Sequence, residues 1–194
     1  MRRKRSSLNF SKRHKKFNVR RFKYVMTWVA QIAVMILAAY LLVSAFGVRT
    51  TVVGQAMMEQ LHSGDQVLID KIIYKIMDPK AGDVVIFLPN GNEKSHFYIR
   101  RIVGVPGDTI QIKNGTLYVN GNAYIEKTEV AAMEEAGIAE TEIELGEDEY
   151  FVLGDNRNNS EDSRYANIGN IKKEYIIGKA WFYIEAEDGM GFVH

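Results

Sequence analysis

Between Lys23 and Arg49 lie 25 consecutive residues without a charge, and that gap constrains the chain more than any other feature. Its apolar part, Val25–Phe46, reads VMTWVAQIAVMILAAYLLVSAF. A helix of this length spans about 33 Å, enough for a hydrocarbon core of about 30 Å. Gln31 is the only strongly polar interruption, and Trp28 suits a membrane interface. Helices of soluble domains carry a polar face, and this one has none. The segment therefore predicts a transmembrane helix. A cleavable signal peptide is the competing reading, with Ser44–Ala45 as its cleavage point, but its apolar region is usually shorter. An uncleaved signal-anchor is the expectation.

Charge on either side sets the expected orientation. Residues 1–24 hold eleven Lys or Arg and no acid, and only Arg49 follows the helix closely. Positive charge stays on the cytoplasmic side, so the body should lie outside. The overall net charge of +1 hides this asymmetry: the remaining residues hold 14 basic against 24 acidic groups. Three parts result: a basic cytoplasmic arm at 1–24, the anchor at 25–46, and an extracytoplasmic domain at 49–194. The arm resembles a nucleic-acid-binding tail, but topology and attraction to anionic lipid explain its charge more economically, so membrane lipid is the expected partner and nucleic acid is not. The chain has no cysteine, which excludes disulfides, thiolate catalysis and Cys-ligated metal.

Beyond Arg49 the pattern turns to short β-branched runs punctuated by Gly, Asp, Asn and Pro. Strands are predicted at Thr50–Val53, Gln66–Ile69, Asp83–Phe87, His96–Val103, Thr109–Lys113, Thr116–Val119, Tyr150–Leu153 and Gly178–Ile184. Asn114-Gly115 between IQIK and TLYV is the strongest hairpin signal, and Asn120-Gly121 is a second turn. Residues 127–140, KTEVAAMEEAGIAE, have the Ala- and Glu-rich composition of a helix. They sit in an acidic stretch, Glu126–Glu149, that reads as a solvated surface insertion. The body is thus mainly β, in one or two coupled parts.

Four blocks carry a family resemblance: VVGQAMMEQLHSGDQVLIDKIIY (Val52–Tyr74), GDVVIF (Gly82–Phe87), YIRRIVGVPGDTI (Tyr98–Ile110) and GDNRNNSEDSR (Gly154–Arg164). In this order they resemble the bacterial type I signal peptidases of the Gram-positive type, membrane-anchored serine proteases with a Ser/Lys dyad. The resemblance implies an antiparallel β-sheet fold with one N-terminal transmembrane helix and a smaller part inserted near 111–149. It also implies a nucleophilic Ser in the first block and a general-base Lys in the third. Ala56 stands at the first of these positions and Arg100 at the second; Glu59 and Gln60 replace the usual Pro-Thr. A methyl group cannot form an acyl-enzyme. A guanidinium, with a pKa above about 12, cannot serve as a base near neutral pH.

No replacement stands out. Ser63 reads as a turn residue, and Ser95 beside Lys94 would point to the opposite face of an extended chain. His62 and His96 lack a recognisable Ser-His-Asp arrangement, while His14 and His194 lie in terminal segments. The fourth block survives: by resemblance Ser160 once bonded the catalytic Lys, and Asp155, Asp162 and Arg164 organised the site through charged hydrogen bonds. Asp162 and Arg164 are expected to hold the loop, and Asp155 to meet Arg100. Family members bind extended peptides beside strands, which implies a cleft walled by Thr50–Gln55 and Phe97–Ile102, with Val53, Gly54, Gln55, Met57, Tyr98, Ile99 and Ile102 as contact residues. No metal or cofactor is implied.

The leading expectation is a non-catalytic relative that holds a client polypeptide, a pilin or secreted precursor, during sortase-dependent pilus or surface-protein assembly. The alternatives are an active signal peptidase and a binding module for another surface polymer or secretion factor. Nothing in the sequence fixes the oligomeric state.

Overall fold

The structure, a computed structural model, describes residues 19–46, 48–126, 130–186 and 189–193. Most of the basic arm therefore lies outside the described residues, as do Lys127–Glu129, where the predicted helix begins, and His194.

The helix α1 runs Val19–Phe46, 28 residues, starting six residues before the apolar run and including Arg20, Arg21 and Lys23. Side chains along Val19–Leu41 are exposed all round, as an apolar helix without a protein partner must be. The 23 residues of that stretch reach about 34 Å and fit a single-pass membrane anchor.

The body is antiparallel β. Its larger sheet takes β1 (Val48–Thr51), β2 (Gln66–Asp70), β3 (Val84–Phe87) and β4 (Tyr98–Gly104) from the first half of the chain. The smaller sheet is local: β5 (Thr109–Lys113), β6 (Thr116–Val119), β7 (Asn122–Ala123) and β8 (Ile143–Glu144). The chain then returns to the larger sheet through β9 (Glu149–Leu153), β10 (Ile171–Lys172), β11 (Ile176–Ile184) and β12 (Met190–Phe192). Strand order in the larger sheet is β1-β2-β11-β3-β4-β9-β10, with β12 on β11; in the smaller it is β7-β6-β5-β8.

Turn chemistry explains the smaller sheet. Asn114 and Gly115 have φ of +50° and +76°, both left-handed, which suits a two-residue hairpin whose twist matches its strands. Asn120 and Gly121 repeat the pattern at +53° and +74°. The larger sheet depends on distant pairing. β3 is buried along its whole length between β4 and β11, so it reads as a continuous apolar run, VVIF, without alternation. The register of β4 on β9 shifts between Ile102 and Gly104, a bulge at the point where the chain leaves for the smaller sheet.

Three apolar clusters fill the body. The first joins Val52, Met57 and Leu61 to Val67, Ile69 and Ile99. A second lies under the smaller sheet around Ile110, Leu117 and Phe151, and the third holds Phe87, Ile102 and Tyr150.

The predicted helix at 127–140 does not form in its described part: residues 130–136 are irregular and only Gly137–Glu140 make a short 3-10 turn. Tertiary bonds take the backbone groups a helix would have used. Met133 N–H donates to Gly115 O, Glu134 N–H to Asn158 Oδ1, and Ala132 O accepts from Asn158 Nδ2. Met133 and Ala139 are buried in the second cluster, an anchoring that outweighs a propensity of a few tenths of a kcal/mol per residue. The strand predicted from His96 starts instead at Tyr98, after a turn at Asn92–Ser95.

Candidate functional site

Three segments distant in sequence converge at one cleft. The first, Val52–Met57, leaves β1 and leads into a single turn, Met57–Leu61, in which Leu61 N–H bonds Met57 O. Gly54 sits at φ +89°, a conformation side chains resist, and reverses the chain just before Ala56. The second segment is the start of β4 with His96 and Phe97 before it. The third is the loop after β9, Gly154–Arg164.

The cleft has a volume of about 220 Å³. Val52, Val53, Ala56 and Met57 form one wall; His96 through Arg100 form the other, with Glu161 beside them. The structure thus brings Ala56 and Arg100 to the same concavity. Among the described residues its lining contains no Ser, Thr or Lys. Val53 is 84% exposed, whereas Met57 and Ile99 are mostly taken up by the first core cluster. Gly54 and Gln55 stand outside the lining, and Ile102, expected as a contact residue, is buried in the third cluster away from the cleft. Ile102 lies further along β4 than the lining residues and packs with Val85, Phe87 and Val152. Ser63 and His62 border a different depression, near Asp65 and Glu185. A larger cavity of about 580 Å³ opens over Lys71, Tyr74 and Lys173, and none of the expected site residues line it.

The third segment is locked by charge. Asp162, fully buried, accepts from Gly154 N–H at 3.1 Å and from Arg164 Nε at 2.8 Å and Nη2 at 3.0 Å. Arg164 also donates to the carbonyls of Glu135 and Arg157, and Ile138 N–H returns a bond to Arg164 O. One side chain thereby fastens the irregular acidic segment to the site loop. Arg157, which the sequence reading passed over, is buried too: its Nε bonds Gly154 O at 3.0 Å and its Nη2 pairs with Glu126 at 2.5 Å.

Gly154 is where the loop and the first segment nearly touch. A Cβ there would stand 2.1 Å from Ser160 Oγ and 2.6 Å from Ala56 O, so no larger residue fits. Asn156 N–H bonds Ala56 O at 3.0 Å, and Asn156 and Asn159 side chains hold Gln55. Ser160 Oγ is buried without a hydrogen-bond partner among the described residues.

The two arginines of β4 differ from expectation. Asp155 pairs with Arg101, not Arg100: Nε to Oδ1 is 2.8 Å and Nη2 to Oδ2 is 2.6 Å, a bidentate fork. Successive residues of a strand face opposite sides, so a carboxylate positioned for one cannot serve the other. Arg101 also donates to Gly82 O at 2.9 Å. Among the described residues Arg100 instead hydrogen-bonds only to carbonyls: Glu161 O from Nε at 2.9 Å and Nη2 at 2.6 Å, and Ile99 O from Nη1 at 2.7 Å. Its guanidinium lies over the Tyr98 ring, 5.0 Å from the centroid. Burial pulls Arg100 below the ordinary guanidinium value, and nearby Asp162, Tyr98 and Glu161 oppose that shift. The Glu161 carboxylate is engaged elsewhere, accepting from Tyr98 Oη at 2.8 Å and Asn167 Nδ2 at 2.7 Å. Those two bonds hold it below the usual carboxylate range.

Residues 25–184 match the family described as "Signal peptidase, peptidase S26". A protein described as "Signal peptidase I", from Bacillus licheniformis, is 36% identical over 164 residues, covering 80% of this chain and 86% of its own. "Signal peptidase IB" from Staphylococcus aureus (strain COL) is 33% identical over 177 residues, covering 82% and 89%. The crystal structure of a signal peptidase I from Enterococcus faecalis V583 aligns at a TM-score of 0.44 and 28% identity, over 54% of this chain and 97% of that one. The match over most of the chain, with relatives more than 30% identical along most of their length, identifies this protein as a member of the bacterial signal peptidase I family.

Proposed function

We propose that this chain is a non-catalytic signal peptidase relative that holds an extended polypeptide beside the membrane without cutting it. The observation that carries the reading is the pair of residues at the positions where the family keeps its dyad: Ala56 has no nucleophilic atom and Arg100 has no proton-accepting form near neutral pH. Among the described residues the cleft lining offers one imidazole, that of His96, and no Ser or Thr hydroxyl beside it. The supporting network of Asp162 and Arg164 remains, which fits a retained cleft. In this reading α1 is an uncleaved anchor with its N-terminus in the cytoplasm, the basic arm meets anionic lipid, and the β body is outside. The client is a pilin or another secreted precursor, and a sortase-dependent assembly line is the setting.

The test is cleavage of a secretory precursor by the full-length protein in detergent, beside an authentic signal peptidase and an Ala56→Ser/Arg100→Lys variant. No product from the unmodified protein, with the authentic enzyme active, supports the reading; a product at the signal junction sinks it. Loss of pilus assembly on gene removal from a piliated strain tests the setting separately. A second reading, an active peptidase, is favoured by the relatives described as "Signal peptidase I", and the same assay decides between the two.

A further inference from the structure

The cleft contains a cation with no carboxylate in direct contact, although Asp162 and Glu161 stand near enough to favour its charge. Arg100 is 8% exposed and lines the cleft, yet among the described residues no carboxylate lies within 4.0 Å of its guanidinium. Each acid that could have served is committed: Asp155 to Arg101, Asp162 to Arg164, and Glu161 to Tyr98 and Asn167. A guanidinium has five N–H donors. Three go to the carbonyls of Glu161 and Ile99, leaving one on each terminal nitrogen. A largely desolvated charge with spare donors gains more from an incoming anion than a solvated one does.

Resting on the reading that the cleft holds a polypeptide, we infer that the group it selects is a peptide carboxylate, bound by Arg100. The remaining lining sets what surrounds that group. Val52, Val53, Ala56, Met57 and Phe97 are apolar, while His96, Tyr98 and the carboxylate of Glu161 also line the cleft, so the residues next to the bound carboxylate should carry no further negative charge. The methyl of Ala56 leaves room that a hydroxyl-bearing or larger side chain would fill. The carboxylate comes either from a free C-terminus or from an Asp or Glu side chain; both present the same pair of oxygens.

Fluorescence anisotropy with the full-length protein in detergent micelles tests this. Three labelled probes of one Ala-rich sequence are used: a free C-terminal acid, its amide, and an amide with one internal Glu. The acid, the internal-Glu amide, or both should bind about tenfold or more tightly than the plain amide. In Arg100→Gln that gap should close, and in Arg100→Lys part of it should return. Which probe shows the gap identifies the source of the carboxylate. Equal binding of all three overturns the inference and leaves the polypeptide-holding reading standing. No binding by any probe overturns both. A gap that persists unchanged in Arg100→Gln, with the variant's unfolding curve intact, assigns the carboxylate to another site and overturns the role of Arg100. The comparison in the unmodified protein stands by itself if Arg100→Gln fails to fold.

Discussion

Arg100 and Arg101 are consecutive on β4 and equally buried, each only 8% exposed, yet the regions they face are organised differently. On the Arg101 side the charge is closed: a carboxylate, a backbone carbonyl and Gln60 take up the fork. On the Arg100 side the hydrogen-bond partners among the described residues are neutral carbonyls, the guanidinium lies over the Tyr98 ring, and the side chain lines the cleft. The closed side is scaffold. The open side is where the resemblance places the family's dyad, at Ala56 and Arg100.

Breaking the scaffold should have the largest effect. Asp155→Ala leaves Arg101 buried without its counter-charge and should destabilise by about 3–5 kcal/mol, read from a denaturant titration in detergent. A loss below about 1 kcal/mol would erase the contrast between the two sides. Gly154→Ala should come next, at about 1–3 kcal/mol, because the new Cβ has no room between Ser160 Oγ and Ala56 O. Arg100→Met should cost less, about 1 kcal/mol, since hydrogen bonds to neutral carbonyls and the contact with the Tyr98 ring are lost but no buried carboxylate is left without its partner. If it matched Asp155→Ala, Arg100 would belong to the scaffold after all.

The smallest effect is a dependence on pH at the cleft mouth. Glu161 is held below its ordinary range first by Asn167 and then by Tyr98, so it stabilises the fold above about pH 4.3, its unfolded value. That contribution disappears as pH falls through the lower folded value. Glu161 is exposed, so the slope is shallow. Tyr98→Phe should flatten it, and an unchanged acid limb in that variant would show that the bond contributes nothing.

The parts of this protein that were legible in its sequence are those decided locally. The uncharged stretch gave the helix, although its start came earlier because Val19–Tyr24, basic but helix-compatible, extends it. Asn-Gly pairs gave both hairpins of the smaller sheet. What the sequence hid was decided by distant partners. Residues 130–136 look helical because their composition is, and they are not, because Gly115, Asn158 and Arg164 capture their backbone. Asp155 looked like a partner for Arg100 because the two lie in neighbouring motifs, and strand alternation gave it to Arg101. The roles of Arg157 and Asn156 were invisible for a related reason: both lie inside a quoted motif, but nothing in a string of letters says that Asn156 reaches back to Ala56.

That reach has a consequence for how the protein is made. The bonds from Asn156 and Asn159 to Gln55 span 101 and 104 residues. Contacts this distant close only after the entropy of a long loop has been overcome, which places such topologies among the slower folders. The β5–β6 hairpin can form as soon as its own residues are free. The cleft cannot: until residues 154–161 have been synthesised and brought beside residues 54–57, the bonds that hold Gln55 and Ala56 are missing and so is Glu161 at its edge. The expected order of formation is therefore the β5–β6 hairpin first and the cleft later.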